Sequence, residues 1–325
     1  MADLGHQNED FILQCTFDQT KCHYEDFEVI QDDKYGNCFT WNHHSRNMSL
    51  RSTGPGSTHG LKLTLFTEQS EYISIYGQDS GVRVSIHEMG TTPFPEDDGF
   101  TVAPGKATGV GLKQLIINRE DPPHGECSNS TSFESMYGDG YSVAACRKQC
   151  LQDYMERECG CVDTIMISDV PRCRILNQTQ EICRQLMYYM LQNNMLECEC
   201  ALPCSEIIYL KTISQSLWPS VTYLYHLLKT IHSINDKTKD INDFEQAQSN
   251  LVRLEVYFEE MTYETMSETP KYEGVYNLLA EIGGVIGIYV GLSFITVVEF
   301  VEFFVAVVRY LFRRIKRSMK VEALK

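Results

Sequence analysis

The most continuous apolar pattern in the chain lies near its C-terminus. Residues 282–298 include no charged side chain, and beyond Glu299 the apolar run continues to Val308. As a helix, this stretch measures about 40 Å, which is enough to cross a bilayer. Basic residues follow it at once: Arg309, Arg313, Arg314, Lys316 and Arg317. Because Lys and Arg flank the cytosolic side of a span, the pattern predicts one plasma-membrane helix with a cytosolic C-terminus.

A stripe of small residues runs along this predicted helix. Gly283, Gly287 and Gly291 recur every four residues, a spacing that lets helices approach closely. The same spacing also suits a simple dimer contact or a flexible hinge. The glycines therefore indicate close packing without fixing its purpose.

A polar stripe follows on the same segment and consists of Thr296, Glu299 and Glu302. Carboxylates within a membrane span are costly and usually face water or a partner. We interpret them as lining an ion path. The alternative is that both acids lie near the inner interface and only pair with Arg309.

Cysteine usage indicates where the rest of the chain resides. The chain has 13 cysteines, and ten of them lie between Cys127 and Cys204. Such density is typical of a disulfide framework in an oxidising compartment. Zinc is the competing interpretation of two Cys-x-Cys pairs, but the usual two-residue spacer is missing. Three glycosylation sequons agree with an extracellular body, at Asn47, Asn129 and Asn177.

Spacing suggests how four of these cysteines pair. Residues 141–156 suit a helix, which places Cys146 and Cys150 on one face about 6 Å apart. Cys198 and Cys200 share one face of an extended strand, with a similar separation. Two parallel bridges can therefore join helix and strand, although spacing alone leaves many connectivities open.

Composition and charge exclude several classes of function. The chain is 43% hydrophobic and 22% charged, which excludes a disordered protein. The first 308 residues hold 21 basic and 43 acidic residues, whereas the basic tail from Arg309 carries a net charge of +6. An acidic body of this size argues against nucleic acid as a partner. No nucleophile elbow, phosphate loop or His-rich motif appears, so we expect no enzyme, metal or cofactor.

The cysteine and membrane motifs together resemble the degenerin/epithelial sodium channel family, and within it the acid-sensing channels. Cys146-Arg-Lys-Gln-Cys150 and Cys159-Gly-Cys161 are similar to that family's cysteine signature. Gly291-Leu-Ser293 before Glu299 is similar to its second membrane helix with a Gly-x-Ser filter. Supporting matches extend the resemblance over nearly the whole chain: Tyr35-Gly-Asn-Cys38-Phe-Thr, Val102-Ala-Pro-Gly105, Trp218-Pro-Ser220 and Tyr263-Glu-Thr265.

The resemblance implies an α+β fold and a hand-shaped extracellular domain. It divides the chain into a finger remnant with palm and β-ball (1–126), a disulfide-stapled thumb (127–204), knuckle and palm return strands (205–276), a pore helix (277–309) and a cytosolic tail (310–325). The palm core is expected around strands 38–42, 61–66, 82–87 and 251–258. Thumb helices 141–156 and 179–193 are expected to pack through Met155, Leu186 and Met190, and 220–233 to form the knuckle helix.

The resemblance also implies a set of disulfides. The pairs are Cys15–Cys22, Cys127–Cys204, Cys146–Cys200, Cys150–Cys198, Cys159–Cys183 and Cys161–Cys173. Cys38 is then unpaired, because its family partner follows a first membrane helix that has no counterpart here. The chain also begins without a signal peptide. We therefore expect a truncated isoform or an incomplete gene model.

The implied function is a trimeric, sodium-selective channel, homomeric or built with related subunits in the bilayer, with Na⁺ as the permeant ion. The implied site comprises a filter (Gly291, Leu292, Ser293), pore acids (Glu281, Glu299, Glu302), an amiloride position (Gly287), a degenerin gating position (Ala280) and palm gating candidates (Glu255, Glu259). Leu292 departs from the commoner small residue. Glu255 and Glu259 also suit a plain solvated strand face.

The gating stimulus stays open. Two thumb carboxylates of the acid-sensing channels are replaced by Gln185 and Tyr189, and the wrist tryptophan by His124. Proton gating is therefore doubtful, and the extracellular ligand is unknown. The alternative function is a single-pass disulfide-rich glycoprotein, acting as a receptor, an adhesion module or a non-conducting, dominant-negative isoform.

Overall fold

The structure is a computed structural model that describes residues 5–32, 34–43, 50–73, 77–128, 140–162, 170–174, 176–272, 274–290 and 294–322. The chain divides into two compact units, Met1–Glu268 and Thr269–Lys325. The first unit is mixed α+β, which confirms the predicted class. The second unit is helical in its described part.

The strands of the first unit form one large and two small sheets. They are β1 (Ile12–Phe17), β2 (Thr20–Cys22), β3 (Phe27–Asp32), β4 (Gly36–Trp41), β5 (Leu61–Phe66), β6 (Val82–Val84), β7 (Phe100–Val102), β8 (Lys106–Asn118), β9 (Ser205–Leu217) and β10 (Leu251–Ser267). The six-stranded sheet has the order β2-β1-β5-β10-β8-β9. All its pairings are antiparallel except that of β10 with β8.

The central position of β10 explains its composition. Leu251, Val252 and Leu254 are buried where β10 lies between β5 and β8. The second half of β10 extends past β5 and is exposed. The buried half packs with Leu63, Leu65, Val110 and neighbouring residues as the main hydrophobic core. Burial of these apolar side chains is the principal force that holds the sheet together.

The edge of this sheet is a disulfide-closed hairpin. Asp18 and Gln19 connect β1 to β2 with φ values of 48° and 66°, which suits a two-residue hairpin turn. Cys15 lies opposite Cys22, and the two form a disulfide. The register and the bridge therefore fix the hairpin together.

The predicted palm strands are confirmed in part. Strands β5 and β10 lie in the six-stranded sheet, whereas β4 and β6, which overlap the predicted strands 38–42 and 82–87, lie in the two small sheets. Among the described residues, β4 pairs with β3, and β6 pairs with β7. Their apolar residues still pack against the main core, as Phe39 and Val82 do. The resemblance thus indicated which strands surround the core, but it did not specify their hydrogen-bonding partners.

The helices of the first unit are α1 (Asn8–Phe11), α2 (Pro95–Asp98), α3 (Val143–Cys159), α4 (Gln178–Gln192), α5 (Leu224–Ile231) and α6 (Phe244–Asn250). Helix α3 begins where the Ser142 hydroxyl accepts a hydrogen bond from the Ala145 N–H, and it ends at Gly160 with φ 65°. A hydroxyl N-cap and a left-handed glycine C-cap are common helix ends. Helix α5 lies within the predicted knuckle segment.

Helices α3 and α4 pack through a small apolar cluster. Leu151 and Met155 of α3 contact Met187 of α4 and Leu196, with Met190 beside them. Leu186 was wrongly predicted to join this contact, since it is 50% exposed. One residue along a helix turns the side chain by about 100°, and the face that carries Met187 is the one turned to α3.

The structure joins twelve cysteines in the six pairs that the resemblance implies, and only Cys38 is free. Cys146 and Cys150 lie on α3, four residues apart. Cys198 and Cys200 do not lie on a strand as predicted, because residues 197–200 are irregular. A bond from the Cys200 N–H to the Cys198 carbonyl bends the chain there.

The second unit contains two helices, α7 (Val275–Val290) and α8 (Phe294–Glu322). No single helix in the described part of the chain is long and apolar enough to cross a membrane, but α7 and α8 together have the required length and composition as a bent pair. This differs from the one continuous helix predicted for residues 282–308. The apolar run is uninterrupted up to Glu299, so hydropathy gives no sign of the bend between α7 and α8.

Candidate functional site: the helix pair and the palm ribbon

Helix α7 carries its small residues on one face. Ala280, Gly283, Gly284 and Gly287 fall within an arc of about 100° at the helical period. A Cβ built on Gly283 or Gly284 meets no atom within 4 Å. Among the described residues, therefore, nothing packs closely on this part of the face, which leaves room for another helix.

Glu281 lies beside this small face and has a cation as neighbour. Its Oε1 is 3.8 Å from Nζ of Lys271, and both side chains are about half exposed or more. A pair this long and this exposed is weak. The carboxylate of Glu281 is therefore accessible to cations in solution.

The predicted filter Gly291, Leu292 and Ser293 lies outside the described residues. Thr296, Glu299 and Glu302 lie on α8 just beyond it, at intervals of three residues along one side of the helix. Both glutamates are exposed. In the part of the chain that the structure describes, neither pairs with Arg309, so the interfacial ion-pair alternative gains no support.

The palm gating candidates lie on an extended ribbon made by β9, β8 and β10. After Val256, β10 no longer pairs with β5, and among the described residues its remaining partner is β8. Seven residues, 268–274, separate the end of β10 from the start of α7 in the sequence. This ribbon is therefore the part of the first unit that is nearest in sequence to the helix pair.

The ribbon contains a large bulge. Phe258 pairs with Leu112 and Tyr263 with Gln114, so residues 259–262 of β10 stand opposite Lys113 alone. A bulge re-aims side chains and interrupts the ladder. Here it brings Glu259 and Glu260 together over one lysine.

Lys113 holds this bulge electrostatically. Its Nζ is 3.1 Å from Oε1 of Glu260 and 3.9 Å from Oε2 of Glu259. The Thr262 hydroxyl donates to the other Glu260 oxygen. The hydrogen bonds from Lys113 and then Thr262 lower the pKa of Glu260, and the bond to Glu260 raises the pKa of Lys113. The sequence prediction missed Lys113 and Glu260.

The alternate glycines on β8 explain why acids fit this ribbon. A Cβ on Gly111 would lie 2.4 Å from a carboxylate oxygen of Glu259, so that side chain occupies the space above the glycine. The Gly-Val-Gly sequence at 109–111 was the available signal for this close approach. Glu255 lies four residues before Glu259 on β10 and pairs with Gly109 of β8. Arg253 donates a hydrogen bond to its Oε1 at 3.0 Å.

The predicted glycosylation and proton-gating positions that the structure describes are exposed on the surface of the first unit. Asn177 precedes α4 and is exposed, while Asn47 and Asn129 lie outside the described residues. His124 is exposed on a loop, and its N–H bonds to the Asp121 carbonyl. Gln185 and Tyr189 are exposed on α4.

Comparison with known proteins agrees with the sequence motifs. The family described as amiloride-sensitive sodium channel matches residues 1–303. Acid-sensing ion channel 2 of Danio rerio is 32% identical over 313 residues, covering 94% of this chain and 56% of that protein. Degenerin unc-8 of Caenorhabditis elegans is 30% identical over 322 residues, covering 95% and 40%. The chain thus spans about half the length of the curated relatives it matches.

The fold and these matches define a class of protein: disulfide-rich members of a family of ion channels, which are not enzymes. The chain belongs to the amiloride-sensitive sodium channel family, which also includes the degenerins and acid-sensing channels that it resembles. The predicted resemblance and the prediction that the protein is not an enzyme are both confirmed.

Proposed function

We propose that this chain acts as a subunit of a trimeric, sodium-selective, amiloride-sensitive cation channel of the plasma membrane, with identical or related subunits as partners. The observation that carries the proposal is the polar stripe of α8. Glu299 and Glu302 are exposed on the apolar part of α8, residues 294–308, in a chain of this family. Carboxylates on such a segment attract cations once three copies surround a water-filled axis.

The two helices have complementary parts in this proposal. The small face of α7 lets neighbouring helices converge, with Ala280 as the gating position and Gly287 as the amiloride position. Gly291, Leu292 and Ser293 supply the filter between the helices. Glu281 raises the cation concentration at the outer mouth. The bent pair α7–α8 forms the span, the first unit lies outside the cell, and the tail lies in the cytosol.

The ribbon connects the extracellular domain to this pore. Because β10 leads into α7 through a short segment, a change in the bulge at residues 259–262 alters the tension on the pore helix. Glu255 and Glu259 are then gating residues through their position on the ribbon. The stimulus that moves them is left open.

The test is a recording of Na⁺ current from cells that express the chain alone and together with a related full-length subunit. An amiloride-sensitive current that falls several-fold in Glu299→Gln/Glu302→Gln supports the proposal. Glu245→Gln/Glu268→Gln is the matched control, since both acids lie outside the helix pair. If the chain passes no Na⁺ in either setting, the proposed function is wrong. Suppression of the partner's current would instead favour the non-conducting isoform.

A further inference from the structure

The second half of β10 carries one exposed tyrosine in an acidic stretch of sequence. Every residue from Glu260 to Ser267 is exposed, and Tyr263 is 62% exposed. Within five positions of Tyr263 there is no basic residue, and four glutamates lie there: Glu259, Glu260, Glu264 and Glu268. None of the other 17 tyrosines among the 18 in the chain has four acidic neighbours in that window. Tyr263 therefore combines an accessible phenol with the most acidic surroundings of any tyrosine.

The backbone around Tyr263 is accessible along one edge of the strand. From Tyr263 to Ser267, β10 pairs with β8, whereas its pairing with β5 ends at Val256. Among the described residues, no strand therefore covers the other edge of β10 at Tyr263. Another protein can bind such an extended edge through main-chain hydrogen bonds. A modifying enzyme can thus reach both the phenol and the backbone that carries it.

The disulfides of the first unit indicate which modifications are available to this tyrosine. Six bridges are typical of a protein that folds in the secretory pathway. No cysteine follows Cys204 in the sequence, so no bridge lies near Tyr263 along β10. The tyrosine is therefore exposed to the enzymes of that pathway on a segment without a covalent restraint of its own.

We propose that Tyr263 is a site of O-sulfation by a tyrosyl-protein sulfotransferase of the secretory pathway. The donor for this reaction is a sulfated adenine nucleotide, and an enzyme that binds so many phosphate and sulfate charges needs a basic active site. A basic site attracts an acidic substrate, so the four glutamates favour the binding of Tyr263 over that of other tyrosines. The proposal rests on the proposed function only in placing the first unit outside the cell.

The transfer is a substitution at sulfur without oxidation or reduction. Oη of Tyr263 attacks the sulfur of the donor and forms a new S–O bond, while the S–O bond to the nucleotide phosphate breaks. The phenolic proton passes to a base of the enzyme, and the adenosine bisphosphate leaves. The product adds a fixed negative charge to the ribbon just after the bulge at residues 259–262.

The experiment is mass spectrometry of the peptide that contains Tyr263, from the full chain purified from animal cells. We expect this peptide to carry the mass of one sulfo group, and we expect Y263F to lose it. Chlorate, which blocks synthesis of the donor nucleotide, should remove the group from the wild type as well. Tyr225 is the matched control, because it is 73% exposed but has no acidic residue within five positions, and its peptide should stay unmodified.

A second pair of variants tests the contribution of the acids. E264Q/E268Q should lower the sulfated fraction of Tyr263 several-fold. E197Q/E199Q removes two exposed acids elsewhere in the first unit and should leave that fraction unchanged. Equal sulfation in the two double variants would overturn the role of the acidic stretch in the proposal.

An unmodified Tyr263 in the wild type would overturn the whole proposal. A modification that a tyrosine phosphatase removes, or that chlorate leaves intact, would overturn it too. These readouts require no ion current, and a glycan at Asn177 in the same sample shows that the first unit entered the secretory pathway. A glycosylated chain with an unmodified Tyr263 therefore contradicts this proposal and leaves the proposed function standing.

Discussion

Lys113 Nζ lies 3.1 Å from Oε1 of Glu260. This ion pair connects Lys113 of β8 to the four bulged residues of β10, 259–262, that lie opposite it. The two residues are 147 positions apart in sequence. They connect two parallel strands at the point where the ladder is interrupted. The ion pair is exposed, so it restrains the bulge locally and contributes little to global stability.

Lys113→Gln tests this restraint. We expect amide hydrogen exchange in residues 259–262 to become several-fold faster, because the bulge loses its only cation within reach among the described residues. The midpoint of thermal unfolding should change little. Lys62→Gln on β5 is the control, and unchanged exchange in the Lys113 variant would contradict the expectation.

The pH dependence of the same region follows from the two pKa shifts. The pKa of Glu260 is lowered by Lys113 first, so its contribution is present above the ordinary value of 4.5 and is lost as pH falls through the lowered value. The pKa of Lys113 is raised by Glu260, so its contribution is present below 10.5 and is lost as pH rises through the raised value. Exchange in the bulge, corrected for its intrinsic pH dependence, should therefore be slowest between these limits.

Gly60→Ala should destabilise the first unit. A Cβ at Gly60 would lie 2.4 Å from the Val256 carbonyl oxygen and 2.6 Å from Cβ of Tyr257, so the backbone of β10 must shift. Overpacking of this kind costs about 1–3 kcal/mol in the free energy of unfolding, measured by denaturant titration. Gly109→Ala is the control, since its Cβ meets the movable Ser214 hydroxyl at 3.1 Å. Equal stability of the two variants would exclude a special role for Gly60.

Met187→Ala and Leu186→Ala separate the two faces of α4. Met187 is 5% exposed within the α3–α4 cluster, and its truncation should cost about 2–4 kcal/mol in the free energy of unfolding. Leu186 is half exposed, and its truncation should change that energy by about 0.5 kcal/mol or less. The measurement is chemical denaturation with the disulfides intact. A larger effect for Leu186 would support the packing that the sequence predicted.

Helices α3 and α4 show which features of the fold the sequence could predict. The spacing of Cys146 and Cys150 predicted α3 and the face that carries its bridges, because the helical period is a local property. Leu186 and Met187 are both apolar, and only the direction of α3 decides which one is buried. The disulfide connectivity came from resemblance, since spacing alone left many pairings open.

The bulge in the ribbon and the bend between α7 and α8 could not be predicted from spacing or hydropathy, for different reasons. The bulge depends on the fit of Glu259 over Gly111 between strands that are far apart in the chain, and no local pattern encodes that fit. The bend between α7 and α8 lies within an apolar run that hydropathy treats as uniform. Glu299 and Glu302 were nevertheless evident as candidate pore acids, because charge on an apolar segment is a local signal.

Cys38 should react slowly with alkylating agents. Burial first, and then the charges of Asp32 and Glu96, raise the pKa of this free thiol to about 11. Since the thiolate is the nucleophile, iodoacetamide at pH 8 should modify Cys38 about 100-fold more slowly than an ordinary cysteine peptide. The rate should rise with pH until about 11. Unfolding without a reductant should restore the ordinary rate, whereas rapid modification of the folded chain would contradict the assigned burial.

Ala280→Val should hold the proposed pore open. Ala280 shares the small face of α7 with Gly283, Gly284 and Gly287, and the two added methyl groups would project from the surface on which the helices of a closed pore converge. Overpacking of that contact favours the state in which the helices are apart. The measurement is the steady Na⁺ current without a stimulus, which should rise several-fold. Ile282→Phe adds bulk to the opposite side of α7 and should leave that current near the wild-type level, because that face is not the one that closes the pore. If both variants raise the current equally, bulk anywhere on α7 disturbs gating and the small face is not the closing contact.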